Sequence, residues 1–285
     1  MFWFFDALTS GFQHPTDPGR LQQFRIVFGT VCTARFALST GQGGWDRFVP
    51  SSISTHLAEQ RFGPARATLL ASIYRPVLIV RTAAAITLTA GLTPRLSLLL
   101  VLAGIAMELL YLKSPNAVRY TLLTGASLLA GGDLGHGFAI EHTPSTTNTW
   151  PLCLLVLITT NIYWGSAWQK IHSPQFRSGL YLAQWIHTYT QVKDQLPYRR
   201  QHAIPGFVQH HIGNLTARDI RLWRLVAAAT ITAETLLPPA LLIPQTTPYA
   251  VAAGIAMHAA FSCLKPRQLI TFSGITVGTY LAFAA

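Results

Sequence analysis

Charged side chains are scarce in this sequence. Asp, Glu, Lys and Arg make up 11% of the 285 residues, against about 25% in a soluble globular domain, and that deficit excludes an ordinary water-covered surface. Acidic residues are fewer still, 10 against 21 Lys and Arg, which leaves a formal net charge of +11. Such a balance signals nucleic-acid binding when the cations gather on one aromatic-interleaved face. Here they are spread over short loops between apolar runs, so membrane orientation explains them better and no nucleic-acid partner is expected. Cysteine is nearly absent as well. Cys32, Cys153 and Cys263 form no CxxC pair, so neither a disulfide framework nor a zinc site is indicated, and their apolar surroundings read as core thiols. The N-terminus, MFWFFDALTS, lacks the basic region of a signal peptide. Its aromatics make residues 1–21 an expected interfacial segment.

Apolar residues are abundant: 50% of the chain is hydrophobic and the mean hydropathy is +0.34. They cluster in runs at residues 22–40, 72–92, 95–113, 117–134, 149–168, 222–243, 247–264 and 268–284, each bounded by Pro, Gly or charge. A helix needs roughly 20 such residues to cross a hydrocarbon core. The expected fold is therefore all-α, a polytopic transmembrane helical bundle of about eight spans in the cell membrane, with residues 22–285 as one transmembrane domain. Pro238 and Pro239 interrupt the sixth run, which leaves a re-entrant segment open there.

Positive charge follows the odd-numbered spans: Arg47, Arg61 and Arg66, then Lys113 and Arg119, then the run from Lys170 to Arg224, then Lys265 and Arg267. By the positive-inside rule these loops are cytoplasmic and both termini lie outside. The longest polar segment, 171–221, holds PYRRQ, His202, His210, His211 and a formal glycosylation sequon from Asn214 to Thr216. Its LYLAQWIHTY stretch reads as an amphipathic helix at the interface.

Ionisable groups inside apolar spans cost about 2.5–3.5 kcal/mol each when charged, unless paired or facing a polar cavity. In this chain they are Arg25, Arg35, Arg75, Arg81, Glu108, Glu234 and His258, with Lys170 at a span's end. The two acids are expected to neutralise two of the four arginines; a structural ion pair and a site role both stand for each group. Lys170 has two readings: a snorkelling interfacial cation, or a desolvated amine that takes up a proton. His258, in mid-span, suits a polar headgroup, a proton relay or a packing hydrogen bond. His202, His210 and His211 lack a carboxylate or cysteine at ligand spacing, so no metal site is expected.

QFRIVFGT, AGLTPRLSLLL, NIYWGSAWQKI with a following RSG, TITAETLLPPALLI and MHAAFSCLKPRQLITFSG occur in this order over roughly residues 20–284. Together they resemble the horizontally transferred transmembrane (HTTM) domain. This is the membrane part of the vitamin K-dependent γ-carboxylase family, and it includes bacterial proteins resembling the sporulation-delaying peptide maturation protein B. The resemblance implies a quinone or hydroquinone cofactor, a peptide or small substrate at the bilayer, and catalytic roles for Lys170, as the base that deprotonates the hydroquinone, and His258. It further implies cofactor-binding positions at Asn116, Arg25, Glu234 and Trp168. The chain departs from the carboxylases at Asn116, which is followed by Ala117 instead of His. It also has no counterpart to their large C-terminal region, so a full γ-carboxylase is not expected. Their chemistry is lumenal, whereas the charge count puts Lys170 on the cytoplasmic side. The leading expectation is a bacterial multi-pass membrane enzyme, a quinone-dependent lyase or oxygenase. Two others are a non-catalytic membrane protein for peptide-toxin maturation, export or immunity, and a small-solute transporter, for which the repeats expected of that class are missing.

Overall fold

A computed structural model describes residues 3–10, 12, 15–41, 53–109, 116–142, 148–192, 204, 206–264 and 266–283. Arg47, Lys113, the PYRRQ run, His202 and Lys265 lie outside the described residues. The chain is all-helical; among the described residues there is no strand, only an isolated bridge between Pro15 and Asn148. It divides into two compact units, one of residues 7–155 and one of residues 1–6 with 156–285.

The first unit contains α2 (Gly19–Gly41), α3 (Ile53–Phe62), α4 (Pro64–Thr89), α5 (Pro94–Leu109) and α6 (Asn116–Ser127); α1 (Trp3–Ser10) ends within it. Along α2 the buried residues Leu21, Phe24, Phe28, Cys32 and Phe36 recur at helical spacing, so one stripe faces the neighbours. Gly29 lets α2 approach α4 closely, since a Cβ there would meet Thr89 Oγ1 at 2.6 Å. Pro64 sits in the first turn of α4, where its missing N–H breaks no helical bond. Gly63 precedes it at φ +82°, a conformation that favours glycine.

The second unit holds the body of α7 (Trp150–Ile171), then α8 (Pro174–Arg177), α9 (Leu180–Val192), α10 (Gly206–Ile212), α11 (Ala217–Leu242), α12 (Thr247–Leu264) and α13 (Pro266–Thr279), closed by a 3₁₀ turn at Tyr280–Ala282. At the start of α11 the Thr216 hydroxyl accepts from the Asp219 backbone N–H at 3.1 Å, and the Asp219 carboxylate accepts from the Asn214 N–H at 3.1 Å. The sequon threonine is thus a helix cap whose orphan donors are satisfied locally. α11 runs unbroken through Pro238 and Pro239. Pro239 removes the bond to the Thr235 carbonyl four residues back, and the Trp164 indole of α7 donates to that carbonyl instead, at 3.2 Å. The broken segment considered for this run is therefore a continuous helix.

Among the described residues each of the eight predicted apolar runs overlaps a helix, namely α2, α4, α5, α6, α7, α11, α12 and α13, although the run at 117–134 leaves α6 at Ser127 and ends in a 3₁₀ turn and loop. Among the described residues three helices, α4, α7 and α11, are long and apolar enough to cross a membrane. In the apolar windows of α4 and α11 only 28% of residues are buried. The uncovered positions include Leu69, Ile79, Val80 and Ile86 on α4 and Leu225, Val226 and Leu236 on α11. A helix apolar all round but covered on a minority of its surface has lipid as its natural surroundings. Cys32 and Cys153 are buried as expected, whereas Cys263 is exposed near the end of α12 and is not a core thiol.

LYLAQWIHTY falls on α9, whose Ala183, Ile186 and Tyr189 are buried with Ile204 and Trp223. The i, i+3, i+6 spacing puts these three on one face. That face is taken up by α11 and its neighbours, so its apolar residues are spent on protein packing.

Candidate functional site

Lys170 sits on the last turn of α7, and Ser166 stands one turn earlier on the same face. The ammonium donates to the Ser166 hydroxyl at 2.7 Å and pairs with the Glu234 carboxylate of α11 through Oε1. The Lys170 side chain is 22% exposed and that of Glu234 is 5% exposed. The lysine therefore turns inward to a carboxylate and does not snorkel outward. The expectation that both buried acids pair with arginines holds only for Glu108. Glu234 takes a lysine because α7 and α11 lie side by side at this level.

One further turn back along α7, Tyr163 enters a buried hydrogen-bond chain. Its hydroxyl lies 2.7 Å from His258 Nε2 on α12 and 2.5 Å from the Tyr280 hydroxyl, while His258 Nδ1 lies 3.2 Å from Ser273 Oγ on α13. Each hydroxyl both donates and accepts, and a neutral imidazole does the same through its two nitrogens. The chain can therefore run from Tyr280 through Tyr163 and His258 to Ser273, or be ordered in reverse. Gly254 makes room for it, because a Cβ there would sit 2.3 Å from the Tyr280 hydroxyl.

Both polar groups open on one cavity of about 320 Å³ within the second unit, near the lower end of the ~300–1,000 Å³ usual for small-molecule sites. Tyr163, Ser166, Lys170, Glu234 and His258 supply its polar wall, joined by Tyr181 and by Thr230, whose hydroxyl donates to the Val226 carbonyl at 2.8 Å. The rest is largely apolar: Ile162 on α7, Phe176 on α8, Trp185 and Ile186 on α9, Trp223 and Val226 on α11, Phe261 on α12 and Phe272 on α13. The Phe176 ring lies 5.6 Å from Lys170 Nζ, within cation–π reach. One atom of the polar wall is unmatched: Glu234 Oε2 is buried without a hydrogen-bond partner.

Of the sequence-predicted site residues, Lys170, Glu234 and His258 therefore line the same cavity. Trp168 does not line it. The residue is 66% exposed and its ring lies against His172, with centroids 4.0 Å apart. Arg25 and Asn116 belong to the first unit. Arg25 is buried and donates to the carbonyls of Leu88 at 2.6 Å, Thr89 at 3.1 Å and Gly137 at 2.6 Å. Leu88 and Thr89 are the last two residues of α4, where the Leu88 carbonyl also accepts from the Gly91 N–H at 3.2 Å, so the guanidinium works there as a helix C-cap. Asn116 is exposed on the first residue of α6. Glu108 bridges Arg81 and Arg35, the latter at 2.5 Å, in a buried triad beneath the Phe36 ring; Arg75 is exposed. His210 and His211 are exposed on α10, and among the described residues no three His, Cys, Asp or Glu side chains converge as a metal set.

Tyr163, Ser166, Ser273 and Tyr280 were not singled out by the sequence. Positions 163, 166 and 170 share a helix face at i, i+3 and i+7, so a polar stripe along an aromatic helix was the available signal. No protein-family model, curated protein or solved structure matches the chain.

Proposed function

We propose that the chain is a multi-pass protein of the cell membrane, with about eight spans. In this reading the second unit binds a lipid-soluble, quinone-like cofactor and modifies a peptide or small substrate at the bilayer. The observation that carries this is the apolar cavity with its two polar groups, Lys170–Glu234–Ser166 and Tyr163–His258–Ser273. The wall fits such a cofactor: aromatic and aliphatic side chains suit a ring and its tail, and the polar groups suit ring oxygens. The cofactor would supply redox chemistry. The protein's own part is to hold the ring, exclude water and manage protons. Lys170 is the proposed base once its ammonium has passed a proton to the paired Glu234 carboxylate, and His258, bonded on both sides, passes protons between Tyr163 and Ser273. The ordered likeness to the HTTM domain supports the same reading.

A non-catalytic role in peptide maturation, export or immunity is the second reading. It is favoured by the Lys170–Glu234 ion pair, which equally well pins α7 to α11.

Purified protein titrated with a reduced menaquinone or vitamin K analogue separates the two, with wild type compared against Lys170→Ala and Lys170→Arg. A saturable change in absorbance, or oxygen-dependent quinol oxidation lost in both variants, is expected. No binding by any of the three folded proteins overturns the cofactor reading.

A further inference from the structure

We infer that Glu234, through its Oε2 atom, selects the ligand of this cavity, accepting a hydrogen bond from a ligand hydroxyl. The occupant is then an apolar body carrying an O–H donor, in preference to the same body with carbonyl or ether oxygens. This rests on the cavity being a binding site for a quinone-like molecule, as proposed above, and adds the atom that decides which form enters.

An unmatched buried acceptor is costly. Glu234 is 4% exposed, and its Oε1 is occupied by Lys170 and by Ser166, whose hydroxyl donates to it at 3.3 Å. Oε2 is buried and unpartnered, and the residue lines the cavity. An unsatisfied buried carboxylate oxygen is destabilising until a donor reaches it. The surrounding wall is mostly hydrocarbon, so that donor comes with whatever fills the cavity.

Lys170 sharpens the choice. An ammonium has three N–H donors, and two are used, on Ser166 and Glu234. The third remains for an acceptor at the same end of the cavity. One hydroxyl satisfies both groups, accepting from Lys170 and donating to Glu234. A carbonyl or ether oxygen satisfies only the lysine and leaves Oε2 unmatched. Sites built to hydrogen-bond an O–H reject analogues without it far more strongly than apolar walls reject a change of size.

The test is anaerobic titration of the full chain in detergent with menadiol and with its dimethyl ether, followed by quenching of tryptophan emission, since Trp185 and Trp223 line the cavity. Menadiol should bind wild type about 10- to 100-fold more tightly than the ether, the range expected for one hydrogen bond to a charged acceptor. Glu234→Leu should bring the two ligands to within about threefold of each other. So should Glu234→Leu combined with Lys170→Met, which leaves no unpaired charge and keeps the site filled. Equal binding of the two ligands to wild type overturns this inference and leaves the cofactor reading standing. A preference that persists in a folded Glu234→Leu variant also overturns it. Failure of both ligands to bind folded wild type removes the cofactor reading and this inference together.

Discussion

Two carboxylates, Glu108 and Glu234, are buried in helices of apolar sequence, and each is held by cations. Glu108 lies between Arg81 and Arg35. Removing one member of such a group leaves charge buried without compensation, at a cost of about 3–5 kcal/mol. Glu108→Ala removes the carboxylate that two arginines share and should lower thermal stability in detergent by an amount of that order. Glu234→Leu with Lys170→Met removes both members of a pair and substitutes hydrocarbon. Replacements of that kind are neutral or stabilising, so this double variant should unfold within a few degrees of wild type. A melting curve for each protein checks the contrast. Equal losses in both would mean that the Lys170–Glu234 pair carries packing that hydrocarbon cannot replace. Arg25 is a different case, because its hydrogen bonds go to main-chain carbonyls, those of Leu88 and Thr89 at the end of α4 and that of Gly137. A search for acid–base pairs in the sequence passes over it, and it became a cofactor candidate through the resemblance to the HTTM domain.

At the scale of elements, the apolar runs were legible because lipid exposure demands hydrocarbon over a whole helix, a signal that survives without tertiary detail. Which ionisable groups meet was not legible. The pairing of Glu234 with Lys170 depends on α7 and α11 lying side by side, and Trp164 taking the carbonyl freed by Pro239 reflects the same contact. Neither leaves a pattern along the chain. Tyr163 and Tyr280 were hidden for a related reason: a buried tyrosine looks the same in sequence whether its hydroxyl meets a histidine or a backbone carbonyl. α9 shows a pattern read as amphipathic, and its buried face packs against Trp223 of α11, a partner that periodicity alone does not name. Its Ile186 is 1% exposed, packs with Trp223 and lines the cavity. Ile186→Ala should cost about 2–5 kcal/mol, shift Trp223 emission to longer wavelength and speed hydrogen exchange along α9. Unchanged exchange in α9 would show that this helix is held by something other than its contact with α11.

For the whole molecule, the decisive question is which side of the bilayer the ends of α11 face. Its 26 residues give about 39 Å at 1.5 Å per residue, more than the ~30 Å of a hydrocarbon core, so its two ends should be exposed on opposite sides. Arg218, Arg221 and Arg224 stand in its first turns, with His210 and His211 just before, whereas the turn from Ile243 into α12 carries no charge. The positive-inside rule therefore predicts that the α10 end lies in the cytoplasm, and with it Lys170, which ends α7 next to the polar segment. Cys263 is exposed while Cys32 and Cys153 are buried, so Cys263→Ser provides a quiet background for labelling. In that background His211→Cys should react with a membrane-impermeant maleimide in inverted vesicles and not in intact cells, and Gln245→Cys should do the reverse. Labelling of both from one side would show that α11 does not cross. Labelling of each from the side opposite to that expected would keep the crossing and invert the orientation, bringing Lys170 to the outer face, which corresponds to the lumenal side used by the carboxylases that the sequence resembles.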